Sequence, residues 1–183
     1  MDKFIFRQRK ALDKQMCDHI ISIFEKSNPE YAPHHDYYGV YPFFTAMQFT
    51  FLKTILRKGI DEYIEKHIFL KFVCYNWDVD SQFNIQKYEP GHYYDSMRDS
   101  VKFLGHMEHG GEDYNSRRVL GWMFYLNDIK NNGGTCWPQQ NFTTQPRAGD
   151  LYIWPAGWTH SHYGIPAPKE TKYIITGWCS WNG

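Results

Sequence analysis

The chain has 183 residues, 42% of them hydrophobic, and its 20 basic and 20 acidic side chains leave no formal net charge. That size suits one ordinary domain, taken as 1–183, with enough apolar mass for a core that needs no staples. Balanced charge argues against a nucleic-acid partner or an acidic membrane surface, and no apolar run approaches the roughly 20 residues that span a bilayer. The opening Met1-Asp-Lys-Phe-Ile-Phe-Arg meets charge too early for a secretory signal. A cytoplasmic protein is expected. Cys17, Cys74, Cys136 and Cys179 form no C-x-x-C pair and read as reduced thiols.

Arg7, Arg9 and Lys10 read as a solvated lead-in to the first helix. Leu12, Met16, Ile20, Ile21 and Phe24 then recur at helical spacing near the candidate cap Asp13, predicting an amphipathic helix over 12–26. Asn28-Pro29 ends it, and the Pro/His/Tyr/Gly-rich stretch to Pro42 reads as loop. A second helix is predicted over 45–67, with Leu52, Ile55, Leu56, Tyr63 and Ile64 on one side and Gly59 weakening its middle.

Beyond Phe69 the texture changes to short β-rich runs between Gly, Pro, Asn and Asp, predicting strands at 71–75, 83–88, 118–126, 150–154 and 172–179. The expected class is therefore α+β, mainly β: 1–68 as helical support and 69–183 as a sandwich or barrel. An aromatic content of 19% suits both a sheet-rich core and a pocket wall.

Strand alternation places Asn84, Gln86 and Tyr88 on one face of their strand, whether solvated or turned to a pocket. In the last strand it groups Lys172, Ile174, Thr176 and Trp178. A lysine sharing a face with apolar neighbours needs a partner, because an unpaired buried ammonium is costly.

His106-Met-Glu108 can present both polar side chains to one ion if Met107 points away, and a distant His162 would complete two histidines and a carboxylate. That set holds a non-haem Fe(II) while leaving coordination positions open. His160, two residues earlier, competes with His162 for the distal place, and Asp99 with His92 or His106 is a second register for the upstream ligands.

Several ordered motifs resemble the prolyl-4-hydroxylase-like branch of the 2-oxoglutarate and Fe(II)-dependent dioxygenases, with a texture close to short phage-encoded members. They are Lys87-Tyr88-Glu-Pro-Gly91, Arg118-Val-Leu-Gly-Trp-Met-Phe-Tyr125-Leu-Asn-Asp128, Asn132-Gly-Gly134, Pro146-Arg-Ala-Gly-Asp150-Leu-Tyr-Ile-Trp-Pro155, and His162…Lys172…Thr176-Gly-Trp178. Together they cover roughly 84–181.

The resemblance implies a double-stranded β-helix, a jelly-roll or cupin-like core, enclosing Fe(II). His106, Glu108 and His162 would be the metal ligands, and Lys172 the ion-pair partner of the distal carboxylate of 2-oxoglutarate. Tyr125, Thr176 and Tyr88 match cosubstrate-contacting positions, and Trp178 matches a ring behind the metal. The implied reaction consumes O2 and releases succinate and CO2, with ascorbate as an accessory reductant. The implied substrate is a prolyl residue of a peptide or protein, for which Trp122, His160, Arg98 and Trp178 are candidate contacts.

Two departures stand out. Glu108 replaces the family's usual Asp, and about eight extra residues lie between Gly91 and His106, a candidate lid with Tyr93, Tyr94 and Arg98. His109 would neighbour the first-ligand strand. The same scaffold acting on a free amino acid or nucleobase, and a non-catalytic lectin-like or cupin-like binding module, remain as alternatives.

Overall fold

The computed structural model describes residues 3–32, 37–39, 44–45, 50–73, 77–92 and 118–181. Helix α1 spans Lys14–Lys26, and the Asp13 carboxylate caps it by accepting from the Met16 amide at 2.8 Å. Its buried stripe is Cys17, Ile20 and Phe24. Helix α2 spans Thr50–Lys66 and buries Leu52, Leu56, Ile60 and Tyr63. Each such aliphatic or aromatic side chain removed from water contributes about 1.5–3 kcal/mol, so it is the stripe that seats these helices.

Twelve strands are described: β1 (Phe6–Gln8), β2 (Glu30–Ala32), β3 (Tyr37–Gly39), β4 (Phe44–Thr45), β5 (Trp77–Val79), β6 (Gln82–Tyr88), β7 (Arg118–Tyr125), β8 (Thr135–Trp137), β9 (Phe142–Thr143), β10 (Leu151–Pro155), β11 (Tyr163–Gly164) and β12 (Lys172–Trp181). The larger sheet runs β1-β10-β7-β12-β6-β3-β2, with β4 joined to β6 and β5 to β12. A smaller sheet has the order β11-β8-β9. Two sheets built from antiparallel pairs, with β12 central in the larger one, form the jelly roll that the sequence motifs imply.

The two faces of the larger sheet do different work. On one, Phe83, Ile85, Trp122, Phe124, Leu151, Ile153 and Ile175 pack with the stripes of α1 and α2. On the other, Tyr88, Met123, Tyr125, Tyr152, Trp154 and Ile174 pack with Tyr37 and with Trp137 of the smaller sheet. Strand alternation enforces this division, since neighbours along a strand point to opposite faces.

Several sequence expectations change. The predicted strand 71–75 gives way to a short helix, α3 (Leu70–Val73), which continues the turn after α2, and 74–76 lie outside the described residues. The predicted loop before Pro42 contains β2 and β3, edge strands too short to carry a period-2 pattern. The N-terminal 68 residues thus contribute four strands as well as helices. Arg7 is no solvated lead-in: it lies in β1, which pairs with β10, and its guanidinium meets the buried Asp150 carboxylate at 2.6 Å.

Gly59 supports α2 rather than weakening it, because a Cβ there would lie 2.5 Å from the Leu151 side chain. The helix approaches β10 that closely only without one. Among the described residues no helix is long and apolar enough to cross a membrane. Cys17, Cys136 and Cys179 are free thiols.

Candidate active site

Register assembles the inner face around β12. Lys172 lies opposite Tyr88, Ile174 opposite both Gln86 and Tyr125, and Thr176 opposite Asn84 and Met123. Trp178 lies opposite Gly121, which also faces Trp154 across β10. The row Lys172, Ile174, Thr176, Trp178 expected from alternation is therefore present. Its neighbour row Asn84, Gln86, Tyr88 is buried rather than solvated, at 7%, 8% and 2% exposure.

Lys172 is 3% exposed and its Nζ sits 4.4 Å from the centre of the Tyr88 ring. The ring face attracts the ammonium, yet burial still pulls the lysine down to about 8. Among the described residues no carboxylate pairs with it, so the pocket holds a cation prepared for an anion. Asn127 fixes its backbone on both sides: Nδ2 donates to the Thr171 carbonyl at 2.8 Å, and Oδ1 accepts from the Tyr173 amide at 2.9 Å. Sequence reasoning missed this role of Asn127, although it stands in the Tyr-Leu-Asn motif.

The hydroxyls beside this lysine are already engaged. Tyr125 Oη shares hydrogen bonds with Thr135 Oγ1 at 2.9 Å and Thr144 Oγ1 at 2.6 Å, and its burial pushes the phenol far above its ordinary range. It is a neutral hydroxyl there, part of a triad whose two threonines have no pattern that marks them in sequence. Tyr88 Oη donates to Gln86 Oε1 at 2.7 Å, and Asn84 Nδ2 donates to Tyr37 Oη at 2.7 Å. Thr176 Oγ1 donates to the Trp122 carbonyl at 2.8 Å, which orients its lone pairs away from the backbone.

His162 follows a short 3-10 turn, Trp158–His160. Its ring packs on Trp137 and Trp154, at centroid separations of 5.4 and 5.1 Å. The His160 carbonyl lies 3.0 Å from Nδ1. A carbonyl can only accept, so the proton sits on Nδ1 and Nε2 carries the lone pair. Burial lowers the His162 pKa and keeps the ring neutral, the form that binds a metal.

His160 is placed differently, because the turn breaks the extended geometry that would align the two imidazoles. Its Nδ1 meets Thr159 Oγ1 at 2.9 Å and its Nε2 meets the Lys3 carbonyl at 3.0 Å. Both nitrogens are occupied, which removes it as distal ligand and as substrate contact. Trp122 is likewise no substrate wall: it is fully buried on the helix-facing side, against Phe83 and Phe124. Trp178 stays on the inner face, with the Arg118 guanidinium 3.6 Å from its ring centre.

His106, Glu108, Arg98, Asp99, His109, Tyr93 and Tyr94 lie outside the described residues. Among the described residues, accordingly, no three His, Cys, Asp or Glu side chains converge on one point. The residues present still fit the implied groups: one neutral imidazole with its tautomer fixed for ligation, and one buried cation for a carboxylate.

Comparison with known proteins bears on the fold and the family. A probable prolyl 4-hydroxylase of Arabidopsis thaliana is 29% identical over 118 residues, spanning 52% of this chain and 39% of its own length. The chain thus spans well under half of that curated relative. The viral collagen prolyl hydroxylase of Paramecium Bursaria Chlorella virus-1, solved as a 2OG complex, superposes with a TM-score of 0.71 at 15% identity, over 98% of this chain and 97% of that one. A prolyl-4-hydroxylase from Pseudomonas putida superposes at 0.64, also at 15% identity, over 98% and 94%. These structures share the fold. Residues 83–180, more than half the chain, with all of β7 and β10 and β6 from Phe83 onward, match the family itself: the protein belongs to the 2OG-Fe(II) oxygenase superfamily.

Proposed function

We propose that the protein is a 2-oxoglutarate-dependent dioxygenase that hydroxylates a prolyl residue of a peptide or protein. The observation that carries this reading is the buried Lys172 ammonium, unmatched by any carboxylate among the described residues and set on the same sheet face as Thr176 and Trp178. A dicarboxylate cosubstrate supplies the missing charge.

Fe(II) and 2-oxoglutarate, when bound, supply O2 activation and the oxidative decarboxylation that yields succinate, CO2 and one oxygen atom for a C–H bond. His162 contributes Nε2 to the metal, with His106 and Glu108 as its companions. Lys172 anchors the distal carboxylate in a charge-assisted pair. Tyr125 borders that carboxylate with a neutral hydroxyl, Tyr88 flanks the lysine with its ring, and Thr176 borders the path toward the metal. The apolar packing of Tyr152, Trp137, Trp154 and Ile174 excludes water and strengthens each of these contacts. Trp178 is the candidate substrate contact on this face, with Arg98 a further candidate from the sequence alone, and ascorbate would serve as the reductant that keeps the metal ferrous.

The kinship with prolyl hydroxylases, one of them named for collagen, supports a peptide substrate. The test is a panel of proline-containing peptides incubated with Fe(II), 2-oxoglutarate and O2. Succinate release coupled to a mass gain of one oxygen on proline is the expected result. Succinate without peptide modification would reject the prolyl substrate, and no succinate under any condition would reject the activity.

A further inference from the structure

Between Lys172 and Thr176 the inner face is centred on Ile174, which has Gln86 on one side and Tyr125 on the other. Gln86 is 8% exposed. Its Oε1 is fixed by the Tyr88 hydroxyl at 2.7 Å, so the two hydrogens of Nε2 point away from that bond and meet no acceptor among the described residues. Nε2 is not sealed from solvent on that face, so an amide whose oxygen is held this way turns its donors toward a ligand that can accept from them. Because Lys172 pairs with Tyr88, Gln86 is its diagonal neighbour, about 7–8 Å away and within reach of a long side chain.

We propose that Gln86 is a cosubstrate-binding residue whose Nε2 donates to the distal carboxylate that Lys172 neutralises, with the Tyr125–Thr135–Thr144 hydroxyls opposite. The inference rests on the dioxygenase reading and adds a residue to its site. Tyr88 gives its own proton to Gln86 and thereby acts through it: the tyrosine orients the amide, and the amide contacts the carboxylate. The arrangement selects for an acid with a second carboxylate, since only that group satisfies both the lysine and the amide.

The test measures anaerobic binding to the full chain loaded with Mn(II), for wild type, Gln86→Leu and Gln86→Glu. Two ligands are compared: 2-oxoglutarate, and 2-oxobutyrate, which has the same keto-acid head without the distal carboxylate. Gln86→Leu should weaken 2-oxoglutarate about tenfold, the worth of a hydrogen bond to a charged group. Gln86→Glu keeps an acceptor for Tyr88 yet sets a negative charge beside the carboxylate, and should weaken it about a hundredfold or more. Affinity for 2-oxobutyrate should be the same in all three proteins.

A merely structural role would reverse that order, since Glu preserves the Tyr88 bond and Leu does not. Equal losses for both ligands, or unchanged 2-oxoglutarate binding, would overturn the role of Gln86 while leaving the dioxygenase reading intact. Failure of the wild type to bind 2-oxoglutarate would overturn both.

Discussion

The imidazole of His162 rests edge-on against the indole of Trp154, with centroids 5.1 Å apart and planes at 73°. Trp154 in turn occupies space that Gly121 leaves open: a Cβ at Gly121 would lie 2.8–2.9 Å from the Trp154 ring. The orientation of the candidate metal ligand therefore depends on a missing methyl group two side chains away.

Gly121→Ala forces that ring to move in a packed layer. Overpacking of this kind costs about 1–3 kcal/mol, and displacing a ring that braces a metal ligand lowers metal affinity about tenfold or more. Urea denaturation and Mn(II) titration of the variant check both effects. Wild-type values for each would show that Trp154 does not set the His162 position.

The two histidines of the Trp158-Thr-His160-Ser-His162 segment should separate cleanly. His162→Ala removes the nitrogen whose tautomer is fixed by the His160 carbonyl, and Fe(II) or Mn(II) binding should disappear. His160→Ala removes bonds to Thr159 and Lys3, so it should lower stability by about 1–3 kcal/mol while metal content stays near one equivalent. Metal loss in the His160 variant with retention in the His162 variant would invert the assignment.

Asp150 ties the N-terminal strand to the sheet. Its carboxylate accepts from Arg7 Nε and Nη2 at 3.0 and 2.6 Å and from the Lys10 amide at 3.0 Å, and the residue is 2% exposed. Asp150→Ala removes the hydrogen bonds to the partly exposed Arg7 guanidinium and the Lys10 amide, at a cost of about 1–3 kcal/mol. Hydrogen exchange should then rise first in 6–10, because β1 is an edge strand held on one side only. Uniform protection of those amides in the variant would contradict this anchoring role.

The inner row of the site was legible in sequence because period-2 alternation is strict: Lys172, Ile174, Thr176 and Trp178 share a face once β12 is recognised, and so do Asn84, Gln86 and Tyr88. Long strands and capped helices announce themselves by repetition. Strands of two or three residues such as β2, β8 and β11 do not, since one period cannot repeat within them. The polar triad of Tyr125, Thr135 and Thr144 comes from three separate segments brought together by the two sheets, and nothing local marks it. The difference between His160 and His162 was equally hidden: it turns on a 3-10 turn three residues long, where extended geometry was the natural expectation.

Lys172 governs the last prediction. With no ligand its folded pKa is about 8, below its ordinary value near 10.5, through burial. The native state therefore binds fewer protons than the unfolded chain between those pH values. By linkage, this group's contribution destabilises the ligand-free protein most below pH 8, and that penalty fades as pH rises toward 10.5. Lys172→Met removes a buried cation and should raise ligand-free stability at pH 7, while 2-oxoglutarate affinity falls about tenfold or more through loss of the charged pair. In the wild type, bound dicarboxylate holds the lysine protonated, so binding takes up a proton once the free lysine is neutral. Affinity should be flat below pH 8 and weaken by about tenfold per unit above it, a dependence that the Met variant lacks. Isothermal titration in buffers of different ionisation enthalpy reads the proton uptake directly. A wild-type affinity flat from pH 7 to 10, or a Met variant that retains the full slope, would remove Lys172 from the anchor site.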